Sequence, residues 1–232
     1  MKFPTPLIHG HLIKRYKRFL ADIELPNGEI ITAHCPNTGT MLSCSTPGSA
    51  VALSISDNPK RKYPHTLEMV QDNSTWIGVN TARTNGLVAE AILEGSIIEF
   101  GKIDKIKREV KTSDHTRLDL HFFSEAEETY VEVKNCSLAQ NGCAMFPDAV
   151  TTRGTKHLNE LIRLKDEGKR SCIFFLVQRM DANKFAPASH IDKVYAKALK
   201  KAFAKGVMIL AYQAEVTTER IEVVRSLPLC IL

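Results

Sequence analysis

Asp119, Glu132 and Lys134 are the residues of this chain whose types and spacing most readily do chemistry. They lie in two apolar stretches, 116–123 and 129–134. In the second, Val131 and Val133 alternate with Glu132 and Lys134, the period of a strand. Side chains alternate across a strand, so Glu132 and Lys134 share one face. If 116–123 pairs with it, Asp119 falls beside Glu132. Two anionic oxygen ligands suit Mg²⁺, which binds through one or two carboxylates and keeps its remaining places for water and phosphate. An adjacent lysine can hold a metal-bound water or steady charge on a phosphate. That is the minimal equipment for hydrolysing a phosphodiester. On a solvent face the same Glu-x-Lys is only an ion pair of little energetic weight.

The elements that must position these residues fall into two patterns. Residues 1–80 read as short strands at 7–13, 19–25, 30–35, 50–56 and 66–72. Turn chemistry separates them at Pro26-Asn-Gly28, Pro36-Asn-Thr-Gly39 and Asp57-Asn-Pro59. Five short strands in that length predict a small OB-like β-barrel, with a sandwich fragment as the alternative. Residues 81–232 read differently. A helix is predicted over 81–93, strands over 103–110, 116–123 and 129–134, and a loop over 138–150. A long helix follows over 152–167, with Leu158, Leu161, Ile162 and Lys165 on one face and Gly168 as its stop. The apolar run 171–178 reads as a central strand covered on both faces. A helix over 191–205 and a strand over 207–212 complete a mixed α/β domain.

Bulk properties narrow the class. Hydrophobic content of 44% and charged content of 25% are those of an ordinary globular protein. The net charge of +5 admits a polyanionic partner without demanding one. None of the six cysteines forms a C-x-x-C or pairs with histidine at zinc spacing. Cys172 and Cys230 lie in apolar runs and read as buried thiols. Their usage, with no signal-peptide pattern and no apolar run of membrane-spanning length, predicts a cytoplasmic protein with no membrane partner. Nothing distinguishes a monomer from a homo-oligomer.

Local clusters supply candidate nucleic-acid contacts. Lys14, Arg15, Lys17 and Arg18 interleave with Tyr16 and Phe19, a mixture suited to a phosphate backbone and stacked bases, or to a charged strand edge. Lys60, Arg61 and Lys62 form a second basic run in a loop. Arg153 and Lys156 sit at the start of the long helix, where free N–H groups favour anions. His157 beside them reads either as a core-edge histidine or as a site acid. Asp148 reads as a turn or helix-start residue, and Asn37-Thr-Gly39 as a turn able to offer an anion nest. A single tryptophan, Trp76, and five tyrosines show no cluster of the kind that binds sugars.

Seven segments in order resemble the sugar fermentation stimulation protein A family. They are Arg18-Phe-Leu-Ala-Asp-Ile-Glu-Leu-Pro26, Ala33-His-Cys-Pro-Asn-Thr-Gly39, Asn58-Pro-Lys-Arg-Lys62, Gly78-Val-Asn-Thr81, Glu132-Val-Lys134, Phe146-Pro-Asp-Ala149 and Arg153-Gly-Thr-Lys-His-Leu158. The resemblance implies an OB-like domain over 1–80 joined to a PD-(D/E)XK nuclease-like α/β domain over 81–232. It implies DNA binding without sequence preference, a link to regulating sugar (maltose) catabolism, and a Mg²⁺ (or Mn²⁺) site. The family's active-site pattern falls on Asp119, Glu132 and Lys134. A helix carboxylate often joins such sites, and Glu90 is the residue this implies here. The alternative is a catalytically inactive DNA-binding scaffold.

Overall fold

The computed structural model describes residues 1–114, 116–124 and 127–231. The first strands are β1 (Ile8–Tyr16), β2 (Leu20–Glu24), β3 (Ile30–His34), β4 (Ala50–Ile55), β5 (His65–Asp72) and β6 (Thr75–Gly78). One half of β1 pairs with β4 and the other with β2, with Ile8 opposite Leu53 and Tyr16 opposite Leu20. β3 pairs with β2, and its last residue, His34, pairs with Thr66 of β5. That contact closes a five-stranded OB-like barrel, and β6 extends it beyond β5. The β5–β6 turn, Asn73-Ser74, has positive φ at both residues, the backbone twist that tight hairpins favour. Leu12, Ile23, Leu53, Leu67 and Val70 fill the interior.

The second half contains helix α1 (Thr84–Leu93) and strands β7 (Lys107–Ser113), β8 (Thr116–Ser124) and β9 (Glu127–Cys136). Next come β10 (Leu138–Gln140), β11 (Cys143–Phe146), α2 (Thr152–Asp166), β12 (Arg170–Val177) and β13 (Lys184–Pro187). The chain ends with α3 (Lys193–Ala204), β14 (Met208–Val216) and β15 (Ile221–Ser226). The large sheet has the order β15-β14-β12-β9-β8-β7, with β9, β12 and β14 parallel. β12 is buried on both faces, as its apolar run predicts. Cys172, Phe174 and Leu176 pack with α1, whereas Ile173, Phe175 and Val177 pack with α2 and α3.

That alternation extends to β9. Val131 and Val133 belong to the α1 core, so Glu132 and Lys134 face the opposite layer, where α2 begins. A strand whose side chains alternate between two covered layers thus delivers two charged groups to the layer of α2.

Several expectations need correction. Residues 138–150 hold β10 and β11, which join β13 in a separate three-stranded sheet. Strands β6, β13 and β15 add to those the sequence predicts, and the first strand of the domain runs over Lys107–Ser113 rather than 103–110. Lys165 is exposed, and the buried stripe of α2 runs instead through His157, Leu158, Leu161, Ile162 and Leu164. Cys230 is exposed, while Cys172 is buried. Among the described residues no helix is long and apolar enough to cross a membrane.

Candidate active site

β8 and β9 run antiparallel with a register that ends at Leu120 opposite Val131. Beyond that pair the strands part. Asp119 fills the gap with its side chain: Val133 N–H donates to Oδ2 at 2.8 Å, and the Asn85 amide of α1 donates to Oδ1 at 2.8 Å. Asp119 is therefore fixed against the residue between Glu132 and Lys134. Burial, together with the charge of Glu132, pushes its carboxyl up to about 6 despite the hydrogen bond from Val133, the charge of Lys134 and the hydrogen bond from Asn85.

Glu132 is buried, at 2% exposure. Burial opposes its ionisation, but the hydrogen bond from His157 and the charge of Lys134 outweigh it and hold the carboxyl below its ordinary value. Both partners meet the same oxygen, Oε1. The other, Oε2, is buried with no hydrogen-bond partner. A buried anionic oxygen without a partner is costly unless something binds it. With Asp119 close enough to be raised by the Glu132 charge, this donor set fits a hard divalent cation. Among the described residues no group of three or more His, Cys, Asp or Glu side chains converges, so the set is two carboxylates, with other places left to water or phosphate.

The helix layer shapes the rest. Thr151 caps α2 by accepting from Gly154 N at 3.0 Å, and Asp192 anchors that start by accepting from Thr151 N at 2.8 Å. Gly154 gives room to a neighbour, because a Cβ there would lie 3.0 Å from the Tyr195 ring. Arg153 and His157 stand one turn apart on the same side, so Arg153 Nε reaches His157 Nε2 at 3.4 Å.

A cleft of about 720 Å³ opens between barrel and α/β domain, lined by Arg15, Arg18, Thr40, Asn85, Lys134 and Arg153. A second, of about 800 Å³, lies on the far side of Arg153 and is lined also by Arg117, Lys156 and His157. Arg153 and Lys156 thus border these openings. Arg18 and Lys17 are exposed in the β1–β2 turn beside Phe19. The loop with Lys60, Arg61 and Lys62 flanks the same barrel end: Leu20 pairs with His34, and the Arg61 guanidinium lies 3.5 Å from His34 Nδ1 and donates to Thr66 Oγ1 at 3.1 Å.

Not every expected residue comes to the site. Glu90 is half-exposed and pairs with the Met1 ammonium at 3.1 Å, whose group also donates to Ile221 O on edge strand β15. Three strand spacings, about 14 Å, separate β15 from β9. From α1 it is Asn85 that reaches Asp119, and no periodic signal marked it. Arg15 is committed to structure, donating to the carbonyls of Arg18, Asn37 and Gly39 at 2.5, 2.6 and 2.8 Å. Its neighbour turn is no open anion nest, since Gly39 N donates to Asn37 Oδ1 at 2.9 Å. Asp148 accepts from Met41 N, away from the two carboxylates' hydrogen-bond partners. His157, for which the sequence admits two readings, lies at the centre of the polar cluster. Its i, i+4 spacing from Arg153 was the available signal.

Comparison with known proteins places this geometry in a lineage. The model described as the SfsA N-terminal OB domain matches residues 13–79, and that described as the sugar fermentation stimulation protein RE domain matches residues 82–220. A sugar fermentation stimulation protein homolog of Desulfotalea psychrophila is 58% identical over 229 residues, covering 99% of this chain and 94% of that one. One of Citrifermentans bemidjiense is 49% identical over 228 residues, covering 98% and 99%. The solved structure of Pyrococcus furiosus SfsA in complex with Ca²⁺ superposes with a TM-score of 0.89 at 27% identity, covering 99% of this chain and 97% of that one. The chain belongs to the sugar fermentation stimulation protein family.

Proposed function

We propose that this protein binds DNA without sequence preference, in a role tied to regulating sugar (maltose) catabolism, and that its α/β domain hydrolyses phosphodiesters with Mg²⁺. The observation that carries the reading is Asp119 fixed on the Val133 N–H, between Glu132, whose Oε2 is buried without a partner, and Lys134, which lines a cleft. Ca²⁺ is bound in the Pyrococcus furiosus relative, and Ca²⁺ and Mg²⁺ are both hard cations that take oxygen ligands. Asp119 and Glu132 would hold the ion, which supplies Lewis acidity at the phosphate and a more acidic bound water. Lys134 orients the attacking water and balances charge that builds on the phosphate oxygens. Arg153 and Lys156, at the helix start, steady neighbouring phosphates. The β1–β2 turn and the loop with Lys60, Arg61 and Lys62 bind the backbone, as the corresponding loops of OB barrels do. Phe19, 49% exposed among cations, offers a stacking face.

A second reading, a DNA-binding scaffold without cleavage, is favoured by the carboxylate set stopping at two among the described residues and by Glu90 pairing with Met1. One experiment separates them. Labelled single-stranded and duplex DNA and RNA are incubated with Mg²⁺ or Mn²⁺ and the parent, Asp119→Ala or Lys134→Ala. Cleavage by the parent alone supports the nuclease. Binding by all three proteins with cleavage by none supports the scaffold.

A further inference from the structure

His157 is buried, and its ring meets three charged side chains. Nδ1 contacts Glu132 Oε1 and lies 3.3 Å from Lys134 Nζ, while Nε2 lies 3.4 Å from Arg153 Nε. These partners assign the tautomer. Arg153 Nε–H can only donate, so Nε2 must accept. In a neutral imidazole the proton is then on Nδ1, where it donates to the Glu132 carboxylate. A ring protonated on both nitrogens would set Nε2–H against the Arg153 N–H. The Lys134 ammonium finds no acceptor at Nδ1–H, and shares Oε1 with the ring instead.

The consequence falls on Glu132. Two donors of different stiffness hold Oε1. Lys134 is a flexible stem whose ammonium could follow the carboxylate wherever it turned. His157 is fixed, with its ring packed at the start of α2 and its far nitrogen tied to Arg153. We infer that His157 is a positioning residue for the metal site proposed above: its Nδ1–H pins Glu132 Oε1 and so presents Oε2, the oxygen without a partner, to a divalent cation. Without the ring, Lys134 can swing across both oxygens and compete with the cation for them. The inference rests on the metal reading of the site, and Arg153 enters it as the group that fixes the tautomer.

Groups that orient a metal-binding side chain typically contribute 10–100-fold to metal affinity. The test compares the full-length parent with His157→Ala and His157→Asn. The asparagine amide can place an N–H where Nδ1–H stood, whereas alanine leaves that place empty. Mg²⁺ and Ca²⁺ are titrated by calorimetry, and each metal-free protein is melted to check its fold. Separately, ¹⁵N–¹H correlation spectra of the metal-free parent report which ring nitrogen of His157 bears the proton. The expected result is an Nδ1–H ring, Mg²⁺ affinity at least tenfold weaker in His157→Ala, and affinity within about threefold of the parent in His157→Asn. Unchanged affinity in a folded His157→Ala overturns the inference while leaving the metal site standing. An Nε2–H ring overturns it by a readout that needs no metal, and decides the matter if His157→Ala does not fold. A parent that binds neither cation removes the metal reading itself, and this role with it.

Discussion

The carboxylate of Asp119 accepts the backbone N–H of Val133 at 2.8 Å, taking up the position on β9 just past the Leu120–Val131 pair, where the pairing of β8 with β9 ends. One side chain thereby ends the pairing of two strands and sets a negative charge against the residue between Glu132 and Lys134. Asp119 cannot shift along β9 without giving up that hydrogen bond. The spacing of the two carboxylates is therefore a property of the sheet and not of two free side chains.

This arrangement has a cost in the metal-free protein. Burial and the nearby Glu132 charge raise the Asp119 carboxyl from 3.8 to about 6. A carboxyl raised by folding binds more protons in the native state across that interval. Stability from this group is greatest below about pH 4, falls as pH rises to about 6, and stays low above. Asp119→Asn removes the charge and can keep both hydrogen bonds if the Asn85 amide turns over. We expect the metal-free variant to be more stable than the parent at pH 7.5 by roughly 1–3 kcal/mol, with the gain vanishing near pH 4. Mg²⁺ should raise the melting temperature of the parent and leave that of the variant in place. Thermal melts at several pH values, with and without Mg²⁺, check all three points. Equal stability at pH 7.5 would mean that neither burial nor the Glu132 charge disfavours the ionised Asp119 carboxyl.

Lys134 should separate binding from chemistry. Lys134→Met keeps an aliphatic stem of similar size and removes the ammonium from Glu132 Oε1. Metal affinity is expected to hold or rise, because the cation no longer shares that carboxylate with a positive charge. Cleavage should fall by on the order of 100-fold or more, the usual loss when a preorganised charge at the reacting phosphate is removed. Single-turnover rates measured beside calorimetric Mg²⁺ titrations test this. Loss of metal binding together with the rate would reduce Lys134 to a structural partner of Glu132.

The sequence makes some of these residues legible and conceals others for physical reasons. Strand alternation places Glu132 and Lys134 on one face because period two survives any tertiary context. The apolar run of β12 announces a central strand for a different reason, because a strand covered on both faces needs apolar side chains at successive positions. Asn85 is concealed because α1 is apolar on most sides, with Thr84, Leu87, Val88, Ala89, Ala91 and Ile92 all buried. Its sequence does not say which polar residue turns to the sheet, and Glu90 is the acid that a motif supplies. The small sheet is concealed because β11 pairs with β13, some forty residues on, at Cys143 with Lys184. Arg15 reads as a phosphate contact because its partners are backbone carbonyls, which no residue type records.

That last point gives a prediction that distinguishes cations of the same cluster. Arg15→Ala removes three close carbonyl contacts, and should destabilise the barrel by about 1–3 kcal/mol in denaturant titrations. Lys17→Ala and Lys60→Ala, both exposed, should leave stability unchanged. They should instead weaken DNA binding and flatten its salt dependence. Each lost phosphate contact lowers the slope of log affinity against log salt by about 0.7–0.9. Binding isotherms from about 50 to about 200 mM salt measure the slope. An unchanged slope in the lysine variants would take these loops out of the DNA contact.

The seam between barrel and α/β domain offers a coupling that can be measured. Asp148 Oδ2 accepts from Met41 N at 3.0 Å, and Asp148 O accepts from Thr40 Oγ1 at 2.7 Å. A Cβ built on Gly39 would lie 2.4 Å from Asp148 Oδ2. That oxygen belongs to a short side chain held by the Met41 amide, so it cannot retreat without breaking the bond. Asp148→Ala leaves the Met41 N–H without its acceptor and should cost about 1–3 kcal/mol. Gly39→Ala forces the same bond apart from the other side and should cost a similar amount. Together the two should cost less than their sum, because the carboxylate that the new methyl strikes is gone. A double-mutant cycle in denaturant should therefore show coupling of about 1 kcal/mol or more. Strict additivity would mean that the loop takes up the Gly39 methyl by moving away from Asp148, in which case the seam is held by the Thr40 hydroxyl and not by the carboxylate.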